Sequence, residues 1–184
     1  SSYFDVVESP VSVNNSIVVT TTADVVDAYD GEISLREAVA YANNYGLANT
    51  ITFAESINGS TFYLNSELKI GSDLTIDGLA NNALGIVLTT SNDVADQRII
   101  NVDAGNVVLN GLTITNRRSE RLQAGLDDLS IEEGGAIYVR TGSVSIYNSL
   151  ITENAAENGS AVYVNEANST AYAKLVNCTV VANT

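Results

Sequence analysis

Several residue types are absent or scarce in this sequence. It contains no histidine, methionine or tryptophan and a single cysteine, Cys178. Without histidine and with one cysteine, the chain cannot build a structural zinc site or a Ser-His-Asp or Cys-His catalytic centre. One thiol allows no disulfide within the chain, and no apolar run approaches the length that a membrane-spanning helix needs. These absences exclude several common classes of enzyme and metal site.

Basic residues are also few, with 8 Lys and Arg against 22 Asp and Glu, for a net charge of −14. Nucleic acids and anionic membrane surfaces are bound by basic faces, so neither is expected as a partner. An acidic chain is compatible with calcium, with cationic surfaces or simply with solubility. A hydrophobic content of 45% and a length of 184 residues indicate one folded domain.

What the chain does have is internal repetition. A seven-residue phrase bounded by asparagine occurs at 110–116, 148–154 and 177–183. A second phrase, Gly134–Val139, returns 25 residues later as Gly159–Val164. Repetition at this period is typical of solenoids, in which stacked coils bury one another. We predict a coil of about 25 residues, lengthened in places by loop insertions.

Short apolar or β-branched segments bordered by Asn, Gly, Asp or Ser fill most of the chain and predict strands. A first strand is expected within 17–22, after short apolar pieces at 6–7 and 11–13. The others are 51–53, 61–64, 68–70, 74–76, 85–89, 98–102, 107–109, 112–114, 136–139, 144–147, 150–152, 161–164, 171–176 and 179–181. Because no helices alternate with them, parallel strands stacked coil on coil are expected rather than a doubly wound fold.

One helix is predicted, over residues 34–45. Ser34 is followed three residues later by Glu37, which is a capping box. Apolar residues then recur at helical spacing, as Leu35, Ala38, Val39 and Ala42. Gly46 is expected to end the helix.

The repeats also predict stacked side chains. In parallel coils equivalent residues lie about 4.8 Å apart, so Asn116, Asn154 and Asn183 are expected to form an amide ladder at a corner. A ligand site is the alternative for these residues. Tyr138 and Tyr163 are expected to stack, although with Tyr147 and Tyr172 they offer the alternative of a platform for sugars.

The segment Ile33–Asn43, with the sequence ISLREAVAYAN, resembles the CSLREA-type amino-terminal module of bacterial extracellular β-helix proteins. The repeated phrases resemble those of right-handed parallel β-helices, including polymorphic outer-membrane-protein-like and pectate-lyase-like families. The resemblance covers roughly residues 17–184. Ile33 stands where the family has its cysteine, so any disulfide formed by that cysteine is absent here.

The resemblance implies an all-β fold, a right-handed parallel β-helix (solenoid) with an amino-terminal amphipathic capping helix. We expect a single domain over 1–184, with a cap region at 17–53, coils at 54–184 and a loop insertion at 117–133. It also implies a bacterial protein that is secreted or displayed at the cell surface, of which this chain is the amino-terminal part.

The acidic segment before the helix is the candidate metal site. Asp24, Asp27, Asp30 and Glu32 lie within nine residues, and clustered carboxylates suit calcium. A solvated acidic turn is the alternative. Arg36 is expected to pair with an acid such as Glu37 or with backbone carbonyls of the first coil, the alternative being the base of a lyase.

No catalytic residue is assigned from the sequence. We expect a structural or adhesive module that associates with itself, end to end into a fibre or matrix, or with a surface partner. Its contact regions would be the 117–133 insertion and a last coil without a cap. The alternative is a polysaccharide-binding or polysaccharide-cleaving protein, a lyase or glycosidase of this fold.

Overall fold

A computed structural model describes residues 16–45, 50–91, 97–116, 133–165, 167 and 170–184. Within these residues the chain forms one α-helix, one short 3-10 helix at Glu55–Ile57 and fifteen strands. The helix α1 is Leu35–Tyr45. The strands are β1 Ser16–Val19, β2 Thr50–Phe53, β3 Thr61–Leu64, β4 Leu68–Ile70, β5 Leu74–Asp77, β6 Ile86–Thr90, β7 Ile100–Val102, β8 Asn106–Asn110, β9 Leu112–Thr115, β10 Ile137–Val139, β11 Ser143–Tyr147, β12 Leu150–Thr152, β13 Val162–Val164, β14 Tyr172–Val176 and β15 Thr179–Val181.

The strands form three sheets in which every pairing is parallel. Sheet A has the order β1-β2-β5-β8-β11-β14, sheet B the order β3-β6-β9-β12-β15 and sheet C the order β4-β7-β10-β13. From β2 onward the chain enters sheets A, B and C in that fixed order. The expectation of a parallel, β-rich fold with one helix is therefore confirmed.

The predicted strands are confirmed, with ends that differ by two residues or fewer in the segments from 51 to 181. The first strand ends at Val19, before the predicted end at residue 22, because Thr20 turns toward the segment before α1. The Thr20 amide donates to the Ile33 carbonyl at 2.9 Å, and the Ile33 amide donates to Thr20 Oγ1 at 2.8 Å. The predictions for 6–7, 11–13, Gly46 and all but the last residue of the 117–133 insertion lie outside the described residues.

The core consists of apolar columns that run across the sheets. In sheet A, one inward position of each strand is occupied in register by Ile17, Ile51, Ile76, Leu109, Ile146 and Leu175. The first five of these side chains are fully buried. Sheet B has the corresponding column Phe62, Leu88, Ile114, Ile151 and Val180. Alternation of inward apolar and outward polar residues therefore sets the register of all repeats.

Helix α1 begins with the predicted capping box. The Glu37 amide donates to Ser34 Oγ at 3.1 Å, and the Ser34 amide donates to Glu37 Oε2 at 2.8 Å. The predicted apolar face is buried, and it consists of Leu35, Ala38, Val39 and Ala42. The helix contacts β1 and β4, which are the first strands of sheets A and C. No helix among the described residues has the length and apolar character needed to cross a bilayer.

Candidate functional site

The predicted calcium ligand Asp24 is engaged by protein groups. Its carboxylate is almost completely buried and accepts two hydrogen bonds from Arg36, from Nε at 2.7 Å and from Nη2 at 2.9 Å. The Asn65 amide also donates to Asp24 Oδ2, at 2.6 Å. The oxygens of this carboxylate therefore accept hydrogen bonds from a bidentate guanidinium and a backbone amide. These are the positions at which a cation would otherwise bind.

The other three predicted ligands lie on an exposed turn. Asp27 Oδ1 accepts the Tyr29 amide at 3.0 Å, and Asp30 Oδ1 accepts the Glu32 amide at 2.8 Å. Such bonds to an amide two residues on are those of Asx turns. Within the described part of the chain, no group of three or more Asp, Glu, Cys or His side chains is arranged to hold a metal ion. Calcium binding here stays a prediction from the sequence.

Arg36 links the start of the helix to the two residues that precede β4. Besides Asp24, it donates to the carbonyl of Ser66 at 2.7 Å and to that of Glu67 at 3.3 Å. The predicted contact with backbone carbonyls is thus confirmed, whereas Glu37 serves the helix cap instead of pairing with Arg36. A guanidinium with these partners has a structural role.

Asn43 on α1 forms hydrogen bonds along the edge of β4 that has no strand neighbour. The bonds to β7 come from one edge of β4, through the Leu68 amide and the Ile70 carbonyl. On the opposite edge, Asn43 Nδ2 donates to the Lys69 carbonyl at 2.8 Å, and the Gly71 amide donates to Asn43 Oδ1 at 2.9 Å. One side-chain amide therefore makes the pair of bonds that a peptide group of a neighbouring strand would make. We call this contact the β4 plug.

Two asparagine ladders run along the corners of the stack. At one corner, Asn116 and Asn154 each donate their backbone amide to the side chain of the next asparagine, Asn154 and Asn183, at 3.0 and 3.1 Å. This ladder was predicted. At the other corner, side-chain amides link Asp77, Asn110, Asn148 and Asn177 in sequence, at 2.9, 2.8 and 2.6 Å.

The residues with a left-handed backbone conformation differ between the two corners. Asn148 and Asn177 have φ of 50° and 52°, as expected for asparagine at a tight corner. In the ladder that contains Asn154 and Asn183, the residues with positive φ are instead the preceding ones, Glu153 and Ala182. Those asparagines are placed there for the hydrogen bonds of their amides.

The predicted tyrosine stack is confirmed. Tyr138 and Tyr163 are register partners, and their rings stack with centroids 5.7 Å apart. The Arg98 guanidinium lies 4.7 Å from the Tyr138 centroid and pairs with Glu67 at 3.3 Å. These rings pack against each other and against a cation, which is a structural arrangement. Binding of a polysaccharide at this face stays a prediction.

The strands β13, β14 and β15 form one end of the three sheets, which we call the open end. Each has a single strand neighbour among the described residues. Leu175 and Val180 occupy inward register positions, yet they are 40% and 47% exposed, whereas Ile146 and Ile151 one repeat earlier are fully buried. The open end is therefore a cross-section of the core with strand edges around it.

The open end differs in charge from the rest of this acidic chain. Of the described residues from 159 to 184, Lys174 is the only one with a charged side chain. Elsewhere on the surface acids predominate, and one of them, Asp103, accepts a hydrogen bond from Arg140 Nε at 2.7 Å. This hydrogen bond and the negative charge of Asp103 raise the pKa of the Arg140 guanidinium.

Sequence reasoning did not identify the β4 plug or the partners of Asp24, Asp77 and Asp103. In the sequence, Asn43 is only the last residue of the helix motif Ile33–Asn43. The contacts of Asn43 with Lys69, of Asp77 with Asn110 and of Asp103 with Arg140 join residues that are at least 26 positions apart. The register of the strands, which was known only approximately, was needed to find them.

Comparison with protein-family models, with curated proteins and with solved structures found no match for this chain.

Proposed function

We propose that this chain is a structural or adhesive module of a secreted or cell-surface bacterial protein, and that it associates with itself through the open end. We further propose that its parallel sheets form a right-handed β-helix. The fixed order of sheets A, B and C supports this fold. Crossovers between parallel strands are right-handed in nearly all known cases, which supports the hand. The resemblance of Ile33–Asn43 supports the location.

The observation that carries the proposal is the exposure of core positions at the open end. Full burial of a valine or leucine side chain is worth about 1.5–3 kcal/mol, and Leu175 and Val180 have realised only part of this. Strand edges with free backbone groups are also templates for pairing with another chain. Together, an apolar cross-section and three strand edges favour docking of further strands.

Self-association is tested by light scattering coupled to size exclusion over a dilution series. The unmutated chain should show a mass above that of one chain at high concentration. Val180→Asp places a charge at the centre of the open end and should leave single chains. Val26→Asp is the matched control, because Val26 is 72% exposed on the acidic turn and the substitution adds the same charge.

The proposal is contradicted if the unmutated chain has the mass of one chain at every concentration. It is equally contradicted if Val26→Asp dissociates the assembly as completely as Val180→Asp does, because the effect would then come from net charge. Circular dichroism of both variants checks that the fold is retained.

A further inference from the structure

We propose that a groove at the corner between sheets A and B binds a neutral glycan chain without cleaving it. The proposal goes beyond self-association and does not depend on it. It follows from the unequal lengths of the connections between these two sheets and from the side chains that line the corner.

The connection between β5 and β6 is longer than the connections that follow it at the same corner. It consists of residues 78–85, whereas Gly111 alone joins β8 to β9 and residues 148–149 join β11 to β12. We call residues 78–85 the corner loop. The corner loop and the short corners line one groove of about 370 Å³, which is within the size range of small-molecule sites.

The corner loop is fixed by hydrogen bonds, so this wall of the groove is formed before any ligand binds. Asn82 is buried, and its Nδ2 donates to the Phe53 carbonyl at 3.1 Å. The Leu84 amide donates to Asn58 Oδ1 at 3.1 Å. A wall that is already ordered lowers the entropy cost of binding.

Small residues keep the floor of the groove low. Gly111 has a φ of 66°, and a Cβ atom at this position would lie 2.1 Å from Leu79 Cγ. Only glycine therefore lets Leu79 lie over this corner. Ser149 is buried, and its Oγ accepts a hydrogen bond from the Leu112 amide at 3.1 Å.

The groove offers apolar surface on its wall and hydrogen-bonding groups on its floor. Leu84 is 77% exposed and Leu79 is 36% exposed, and both can contact the C–H groups of a sugar ring. Thr113 lies on the outward side of β9, opposite in parity to the buried Ile114, and lines the floor. Its hydroxyl can both donate to and accept from the hydroxyl groups of a sugar.

The asparagine ladder adds further polar groups to this floor. Asn148 donates one N–H to Asn110 and accepts one bond from Asn177. A side-chain amide has two N–H donors and two acceptor lone pairs. The ladder therefore leaves one donor and one lone pair of Asn148 for a ligand.

The charge of the groove differs from that of the whole chain and favours a neutral ligand. The chain has a net charge of −14, yet the described residues that line the groove include no charged side chain. An acidic glycan would be repelled by the chain, and a charged group in the groove would lose hydration without gaining a counter-charge. Glycosidic cleavage needs a pair of carboxyl groups, which these lining residues do not supply.

An extended peptide fits this corner less well than a glycan. Peptides that bind to sheets usually add a strand at an edge, whereas β6, β9 and β12 beside the groove each have a strand neighbour on both sides. The groups that remain for a ligand belong to side chains, and they suit hydroxyl groups.

The first experiment is electrophoresis of the folded chain in native gels that each contain one soluble polysaccharide. The neutral polysaccharides are galactomannan, xyloglucan and dextran, and the acidic one is polygalacturonate. At least one neutral polysaccharide should retard the chain, and more strongly than polygalacturonate does. Retardation by none of the neutral polysaccharides, or equal or stronger retardation by polygalacturonate, would overturn the proposal.

The second experiment places a charge on the wall of the groove. Leu84→Asp should weaken the apparent affinity for the retarding polysaccharide by about tenfold or more. Val26→Asp is the matched control, because Val26 is 72% exposed, does not line the groove and receives the same charge. Equal affinities of the two variants would show that the groove is not the site. Circular dichroism checks that both variants are folded.

The third experiment locates the ligand by amide chemical shifts. Oligosaccharides from the retarding polysaccharide should shift the amides of Gly85, Gly111 and Thr113. Shifts confined to Tyr138 and Tyr163 would overturn the assignment of the site. A neutral peptide of Ser, Thr and Val that shifts the groove amides when the oligosaccharides do not would overturn the assignment of the ligand. Because self-association is measured by mass, its failure and the failure of glycan binding are distinguishable.

Discussion

At the start of sheet C the free edge of β4 is bonded by the side chain of Asn43 and lies beneath α1, whereas β13 at the other end of the same sheet has no such cover among the described residues. The same inward column that buries Ile17 and Ile51 completely leaves Leu175 40% exposed. One repeating register thus produces a closed end and an open end. The difference comes from α1, which lies beside β4 at the closed end, because the strands themselves are alike.

The same sequence pattern has different consequences inside the stack and at its two ends. Within the stack, apolar columns and asparagine ladders stabilise each repeat against its neighbours. At the closed end, where α1 lies beside β4, side chains of α1 and of the acidic turn form hydrogen bonds with the backbone of β4 and its flanking residues. At the open end each strand has a single strand neighbour among the described residues.

The largest loss of unfolding free energy is expected when the ion pair at the closed end is broken. Arg36→Leu removes the partner of a carboxylate, Asp24, whose side chain is only 2% exposed. Loss of one member of a buried ion pair costs about 3–5 kcal/mol, so the urea midpoint should fall sharply. The double variant Asp24→Asn with Arg36→Leu should recover part of the loss.

Arg140→Leu is the control for that experiment, because it removes an arginine from the exposed pair with Asp103. Its unfolding curve should coincide with that of the unmutated chain. If Arg36→Leu were as harmless as Arg140→Leu, the Asp24–Arg36 pair would have no part in closing this end.

A second pair of variants compares a strand inside the stack with the strand at the open end of the same sheet. Leu74 on β5 is 2% exposed and Leu175 on β14 is 40% exposed, and both point inward in sheet A. Leu74→Ala should cost about 2–5 kcal/mol, and Leu175→Ala under about 1 kcal/mol in dilute solution. Urea unfolding at a concentration where the chain is monomeric measures both. Equal losses would show that the open end is already covered within one chain.

A smaller effect is expected when the β4 plug is removed. Asn43→Ala deletes two hydrogen bonds to β4 and should cost about 1 kcal/mol of unfolding free energy. The amide of Gly71 should exchange faster with solvent, because its acceptor is Asn43 Oδ1. Asn44→Ala, at the next and equally exposed position, is the control. Unchanged exchange at Gly71 would contradict the role given to Asn43.

The smallest effect concerns calcium. Because Asp24 is held by Arg36 and by the Asn65 amide, we expect millimolar calcium to leave the thermal midpoint of the chain unchanged. Asp27→Asn should respond in the same way. A calcium-dependent rise in the midpoint that Asp27→Asn abolishes would confirm the site predicted from the sequence and weaken the account of the closed end.

The sequence predicted the repeating parts of the molecule well and the contacts between distant parts poorly. Strand positions, the Ser34–Glu37 cap and the ladder through Asn154 follow from local patterns or from repeated phrases. The acidic neighbours of Asp24 predict a cation ligand, whereas its arginine partner becomes evident only once the acidic turn lies against α1. The role of Asn43 depends on the helix lying beside β4, which no local pattern encodes.

Hydrogen exchange followed as a function of protein concentration tests the central contrast most directly. If the open end pairs with a second copy while the edge of β4 is already bonded within the chain, amides of β14 and β15 should gain protection as concentration rises. The amides of β4 and Gly71 should show the same protection at all concentrations. Exchange in β14 and β15 that does not depend on concentration, or a parallel gain in β4, would contradict the account.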